Sequence, residues 1–502
     1  MVLVVAAVVV AALVRVTGAP SPDVLRVREW RATHERQILR ELMQLVAVPN
    51  HAAVRADIAK NAELLTSMFE QRGFAVTRWE TKGSPIVFAR RDAENARGTV
   101  LFYMHYDGQP TTVKEWTFGG PFIPAAFKGR TPVDLTADTG PVDPDVRIYG
   151  RSTSDDKGPI VAFLAAVDGL GGPKAAIPWN VRVVLDGEEE FGGSPNFDPA
   201  MRAHAADVRS DVAIVVDSPR HPSGLPTVFY GSRGNATATV TVYGATGDLH
   251  SGNYGNFVTD PGMALARLLA SMKDARGNVT IRNFYDDVVP LTETERRAID
   301  EIPRVDAKLL DQFGLARAEH PDSRIELQHN RPTLSVTGLE SGAVHSGARS
   351  AIPASASARI EIRLVKGLNA ATQLDRLAAH IREQGFHVID GEPDGATRRK
   401  YPLIARVVRN SGGFPIGKTS MDEPRTAFAV KAIGSLDQRV ARLPTIGGSL
   451  PFATFSDTLA LPTIGLAVVN FDNNQHAADE NIRVGHLWEA IEIFAALLTM
   501  SR

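Results

Sequence analysis

The chain has 502 residues, 44% hydrophobic and 22% charged, with a formal net charge of −2 and no cysteine. That length exceeds one ordinary core and implies two or three domains of a globular, water-soluble type. The near-neutral charge with no basic cluster argues against nucleic acid as a partner. The missing thiols exclude disulfides and thiolate metal sites, so any metal must be held by His and carboxylate.

Residues 2–14 form an uninterrupted apolar run, too short to span a bilayer comfortably as a helix. The run has the length of a signal-peptide core and is followed by the small residues Thr17, Gly18 and Ala19, but it lacks a positively charged lead. Residues 1–19 therefore read as a signal peptide or short N-terminal anchor. The expected location is exported, periplasmic or secreted, with a buried N-terminal element in a cytoplasmic protein as the alternative. Next, RVREWRATHERQILRELMQLVAV carries apolar residues at helical spacing up to Pro49, and residues 53–73 repeat the pattern until a terminating Gly.

The stretch 99–104 reads as a buried strand running into the polar loop MHYDGQP. Residues 111–150, rich in Pro and Gly, read as irregular loop bordering a site. After GRSTSDDKGP comes a short apolar helix, IVAFLAAVDGL. Then VRVVLDGEEEFGGS, residues 181–194, passes from a β-branched run straight into three acids, and DVAIVVDSP is another buried strand ending in an acid. Alternating strands and helices, with His, Asp or Glu at strand C-termini, predict an α/β fold with a mostly parallel sheet and helices on both faces.

The pattern changes at Gly231. ATATVTVYG and SARIEIRLV alternate like half-exposed strands, and PGMALARLLASMKDA and AATQLDRLAAHIREQGF are amphipathic helices, with a loop-rich insert between and HVIDGE as a closing strand. This predicts a smaller α+β domain over 231–421, inserted between 20–230 and 422–502 of the first domain. The closing elements are the strand LPTIGLAVVN and the helix WEAIEIFAALLTM.

Five positions stand out as metal ligands: His105, Asp155, Glu190, Asp217 and His476. Two imidazoles and three carboxylates suffice for two divalent ions sharing one bridging acid. Such a pair acidifies water and polarises a carbonyl. Within the acidic run, Glu190 is the expected ligand and Glu189 the base that takes a proton from the water. Singly, each has a duller reading; Asp155 and Asp217, for example, could be helix caps.

The blocks MHYDGQP, GRSTSDDKGP, GEEEFGGSP, DVAIVVDSP, DLHSGNYGN, GGSLP and NNQHAADENIR, in that order, resemble the dinuclear zinc metallopeptidases of the carnosinase and glutamate carboxypeptidase family, which also contains aminoacylases and desuccinylases. The resemblance spans nearly the whole chain after residue 19 and implies a zinc-exopeptidase-like catalytic domain with a ferredoxin-like lid for dimerisation. It implies that His105 and His476 each serve one ion, Asp155 bridges, and Glu190 and Asp217 complete the sites. Asp107 would orient a metal-binding His, with Glu189 as base. His250, in DLHSGNYGN, would reach the scissile carbonyl from the lid of the partner subunit of a homodimer. Arg363 would grip the substrate's C-terminal carboxylate, with Ser350, Gly448 and Ser449 as further substrate residues. Glu188 marks the register ambiguity of the triple acid, and Asp156 is the second candidate for the bridge.

Two places depart from the family pattern. Ser152 stands where a Gly is usual, and Thr445 and Ile446 replace an Arg-Glu pair beside the substrate loop. The expected activity is di-metal hydrolysis of dipeptides or small peptides with a free C-terminal carboxylate, using two zinc ions, or manganese or cobalt. The first alternative is an N-acyl-amino-acid amidohydrolase. The remote one is a non-catalytic binding protein on the same fold. No membrane contact is expected apart from the N-terminal anchor.

Overall fold

The computed structural model describes residues 19–136, 140–436 and 439–501. The apolar run at 2–14 lies outside them. Among the described residues no helix is long and apolar enough to cross a membrane.

Eight strands form the principal sheet, in the spatial order Ala75–Trp79, Ile86–Arg91, Asn180–Asp186, Thr99–His105, Val212–Val216, Thr463–Ala467, Thr227–Phe229 and Ala441–Leu443. The middle four, from Asn180–Asp186 to Thr463–Ala467, run parallel. Their β-branched sequences suit burial on both faces. Val100, Phe102 and Met104 point into a layer of the helices Pro22–Val46, Lys157–Gly169 and Val484–Thr499. Leu101 and Tyr103 point the other way, toward Phe197, Phe452 and Phe455. With both faces covered, the polar residues just past the strands are confined to one edge of the sheet, where α/β folds place ligands.

A second sheet takes the order Thr333–Glu340, Ser355–Leu364, Gly234–Tyr243, Ile404–Arg409 and His387–Ile389. The strand Gly234–Tyr243 buries mainly alternate residues, as its sequence predicts, and the helices Pro261–Ala270 and Ala370–Glu383 cover one face. The expected closing strand at 387–389 is an edge. Ile404–Arg409, which the sequence reading passed over, lies between it and Gly234–Tyr243. The two crossings between the sheets run side by side, with Gly231–Ser232 paired antiparallel to Gly417–Lys418.

Two regions read as loop have more structure than expected. Residues 111–150 contribute Ala125–Lys128, Thr131–Pro132 and Arg147–Tyr149 to a four-stranded sheet closed by Asn481–Arg483. The loop-rich insert holds the helices Glu293–Glu301, Asp306–Gln312 and Ile325–Gln328, the first begun by a capping box from Thr292 and Glu295. Glu293–Glu301 packs on Ala441–Leu443, and Ile302 joins the core beneath the principal sheet. The insert thus leans on the first sheet although it lies in the sequence of the second.

Candidate metal centre

The ends of the parallel strands converge on one point. His105 closes its strand with a fully buried side chain, and Nε2 lies 2.8 Å from Asp155 Oδ1 and 3.7 Å from Asp217 Oδ2. On the far side of Asp155, His476 Nε2 is 3.2 Å from Asp155 Oδ2 and 3.2 Å from Glu190 Oε1. His105, Asp155 and Asp217 form one group able to hold a cation, and Asp155, Glu190 and His476 form another. Asp155 is common to both.

Three local features hold this geometry. Asp107 lies two residues past His105, fully buried, with Oδ1 3.3 Å from His105 Nδ1. Its two oxygens also accept the backbone N–H groups of Glu189 at 3.1 Å and Glu190 at 3.0 Å. One carboxylate thereby aims both the imidazole and the acidic turn. Second, the fully buried Glu480 accepts from the backbone N–H groups of Ser152, Ser154 and Asp155 and pairs with Arg151 at 2.7 Å. Third, Gly150 donates to the carbonyl of Glu480, at the junction of Arg147–Tyr149 with Asn481–Arg483. That small sheet ties the Asp155 loop to the His476 loop. Glu480 lies in plain view inside NNQHAADENIR, and an acid four residues past the candidate ligand His476 is the one signal for it.

The triple acid is divided by its contacts. Glu188 turns away to accept from the backbone of Ser84 at 2.7 Å and from Asn196 Nδ2 at 2.8 Å. Glu190 faces His476 and accepts from Gln109 Nε2 at 2.7 Å. Glu189 lines the cavity between them, 7% exposed. Asp156 faces the backbone N–H of His105 at 3.3 Å and stays outside both ligand groups. The peptide between Asp155 and Asp156 is cis.

The electrostatics fit a cation site. Burial, then Asp155, pushes Asp217 up to about 7, and burial, then Asp155, raises Glu190. Burial also lifts Glu189 well above the usual carboxylate range. His476 is raised to about 11 by its hydrogen bonds to Asp155 and Glu190. Crowded buried acids of this kind hold protons or cations because bare like charges repel. The donor set, imidazole and carboxylate without thiolate, is the one that zinc, manganese and cobalt share.

The cluster opens into a cavity of about 730 Å³ between the two sheets. Arg363, Gly448 and Ser449 line it, and Arg363 Nη1 donates to Ser449 Oγ at 2.7 Å. His250 and Ser350 do not line it. They sit together elsewhere, where Leu249–His250 pairs with Ala351–Ile352 and Ser251 N–H donates to the Ser350 carbonyl at 3.0 Å; both are exposed. Of the two departures, Ser152 takes the left-handed conformation (φ 66°) that favours Gly. Its hydroxyl accepts from Asn50 Nδ2 at 2.9 Å. Ile446 is buried in the cavity wall.

Parallel strands whose ends meet in two His-carboxylate groups sharing one aspartate define a metal-dependent hydrolase. The chain belongs to the peptidase family M20/M25/M40, whose model matches residues 101–500. It is 25% identical over 476 residues to the Cys-Gly metallodipeptidase dug1 of Schizosaccharomyces pombe, covering 91% of this chain and 94% of that one. It is 25% identical over 420 residues to the human Beta-Ala-His dipeptidase, covering 82% and 76%. Among solved structures, the M20 family metallo-carboxypeptidase Sso-CP2 from Sulfolobus solfataricus superposes with a TM-score of 0.74 at 26% identity, covering 92% and 98%.

Proposed function

We propose that the chain is a di-metal dipeptidase that cleaves the amide bond of dipeptides or small peptides with a free C-terminal carboxylate. The observation that carries this reading is Asp155 shared between two His-acid groups, beside the buried Glu189 and within one cavity with Arg363 and Ser449. The dipeptidase names of its relatives support the substrate class. His105, Asp155 and Asp217 would hold one ion, and Asp155, Glu190 and His476 the other. Zinc is the assigned metal, with manganese or cobalt accepted by the same donors. When bound, the pair acidifies water and polarises the scissile carbonyl.

Glu189 takes the proton of the attacking water and passes it to the leaving amine, a role its raised proton affinity suits. Asp107 keeps His105 and the acidic turn in register. Arg363, its guanidinium steadied by Ser449, receives the substrate carboxylate, with Gly448 beside it. The partner subunit's His250 steadies the oxyanion and Ser350 accompanies it, because neither reaches the cavity of its own chain. The exposed side chains of Phe257, Met263, Leu339 and Val344 offer the lid, residues 231–421, an apolar surface for a homodimer. The paired crossings at Gly231–Ser232 and Gly417–Lys418 are the hinges between that lid and the catalytic parts, 20–230 and 422–502.

The residues before position 20 act as a signal peptide that exports the enzyme; N-terminal sequencing of the protein isolated from its host reads an absent leader if this holds, and an intact Met1 if it does not. For activity, a screen of dipeptides against acetyl- and succinyl-amino acids, with and without chelator, is the direct test. Chelator-sensitive dipeptide turnover is expected. Turnover of acylated amino acids alone makes the chain an amidohydrolase instead. A metal-loaded protein that cleaves neither ends the hydrolase reading.

A further inference from the structure

We propose that the part of the cavity beyond the Arg363–Ser449 pair is a subsite for a bulky apolar side chain on the C-terminal residue of the substrate, walled by Leu309, Phe313, Ile325, Ile446 and Phe471. This rests on the dipeptidase reading above and names the side-chain class it takes.

The wall can be followed outward from the carboxylate clamp. Arg363 donates to Ser449, and Gly447, two residues earlier, lies against the ring of His329, where a Cβ would stand 3.0 Å from Nε2. His329 N–H donates to the Ile325 carbonyl at 3.0 Å. Ile325 N–H in turn donates at 2.9 Å to Asp306, the first residue of the helix that carries Leu309 and is followed by Phe313 at its C-terminal cap. That helix is moored across the cavity: Lys308 Nζ donates to the Pro222 carbonyl at 2.9 Å and stands 4.4 Å from the centre of the Phe471 ring. Ile446, immediately before the substrate loop, completes the wall. A side chain on the C-terminal residue begins one carbon from the carboxylate that Arg363 holds. It is therefore the group of the substrate that enters this space.

Charge points the same way. The acids lining the cavity are Asp155, Glu189, Glu190 and Asp217, all in the ion cluster, whereas the remaining charged lining is basic, with Arg220, Arg359 and Arg363. No acid of the described lining is left to receive a cationic side chain. Burial, then Arg233, pulls His329 down to about 4, which keeps that ring neutral beside the apolar wall. A cavity of about 730 Å³ is large for two small residues and leaves room for an aliphatic or aromatic group.

The test is kcat/KM for Gly-Leu and Gly-Phe against Gly-Ala and Gly-Lys with the metal-loaded, full-length protein. The apolar pair should lead by about 10-fold or more, the size of effect a hydrophobic pocket supplies. Ile446→Glu should raise Gly-Lys relative to Gly-Leu by about 10-fold. Because Ile446 is buried, Phe313→Glu provides the same reversal at a side chain that is 59% exposed and safe for folding. Equal wild-type rates across the four substrates, or ratios unmoved in a folded variant, overturn the subsite and leave the dipeptidase reading standing. Absence of turnover for every dipeptide overturns that reading itself.

Discussion

The ion cluster and the His250–Ser350 patch are built on opposite terms. In the cluster His105, Asp155 and Asp217 are buried, Glu190 is half-buried and His476 is exposed, and each is fixed by strand ends or by contacts within its own chain. His250 is exposed, and its ring makes a local contact, Nδ1 accepting from Gly252 N–H at 3.1 Å. The first arrangement draws all its groups from one chain, while His250 and Ser350 lie outside the cavity that holds it. A preorganised site costs little reorganisation during reaction. A residue left at the surface can act only when another body brings the substrate to it. The contrast therefore predicts that metal binding belongs to the single chain and turnover to the pair.

The sharpest way to break that contrast is inside the cluster. Glu189→Gln removes the base yet keeps the shape of the site, so kcat should fall about 10³-fold while metal analysis still finds two ions per chain. Near-normal kcat in that variant would falsify the role. His250→Ala should lower kcat about 10²-fold, the loss of one oxyanion partner, without altering the metal content. Mixing the two inactive variants after subunit exchange should restore part of the activity, since each mixed pair has one active centre with its own Glu189 and the other subunit's His250. If exchange is verified and activity stays absent, His250 does not act between chains.

A smaller effect probes how the cluster is held. Glu480→Gln leaves Arg151, only 3% exposed, without its anion. Breaking a buried pair costs about 3–5 kcal/mol, and the loosened Asp155 loop should lower metal affinity about 10-fold or more. Denaturation of the metal-free protein and metal titration check the two effects separately. Unchanged stability would mean that the Asp155 loop is held by its neighbours and not by Glu480. Arg363→Lys keeps the charge and loses the planar fork, so KM should rise about 10-fold with kcat nearly constant.

How far the sequence disclosed all this depended on whether the information was local. The strands ending at His105 and Asp186 and the strand before Asp217 were readable because each is a largely apolar run that stops at or just before a chemical residue. The seven blocks carried the proposed ligands. Glu480 was passed over because its role exists only once Arg147–Tyr149 meets Asn481–Arg483, a pairing across more than 300 positions that no periodicity announces. Long-range packing also decides Ile404–Arg409, a short strand with charged residues within it, and His329, an undistinguished histidine until the insert folds against Gly447. The contacts that turn Glu188 away come from Ser84 and Asn196, distant in sequence or lacking any motif, and the register of Glu189 and Glu190 as base and ligand rests on the family resemblance.

Ser152 offers the finest comparison, because it separates conformation from contact at one residue. A left-handed backbone costs a side-chain-bearing residue about 1–2 kcal/mol relative to Gly, and a hydroxyl hydrogen bond returns about 1 kcal/mol. Ser152 has the strained φ of 66° and also the bond from Asn50 Nδ2. Ser152→Gly removes both and should leave stability within about 1 kcal/mol of the parent. Ser152→Ala keeps the strain, loses the bond and leaves Asn50 with one acceptor fewer, so it should be the less stable of the two variants by about 1 kcal/mol or more. Equilibrium unfolding of the three proteins in urea decides the order. If Ala were as stable as Gly, the left-handed backbone would carry no strain; if Ala were as stable as the parent, the hydroxyl would contribute nothing, and Ser152 would have no support in the contacts of this loop.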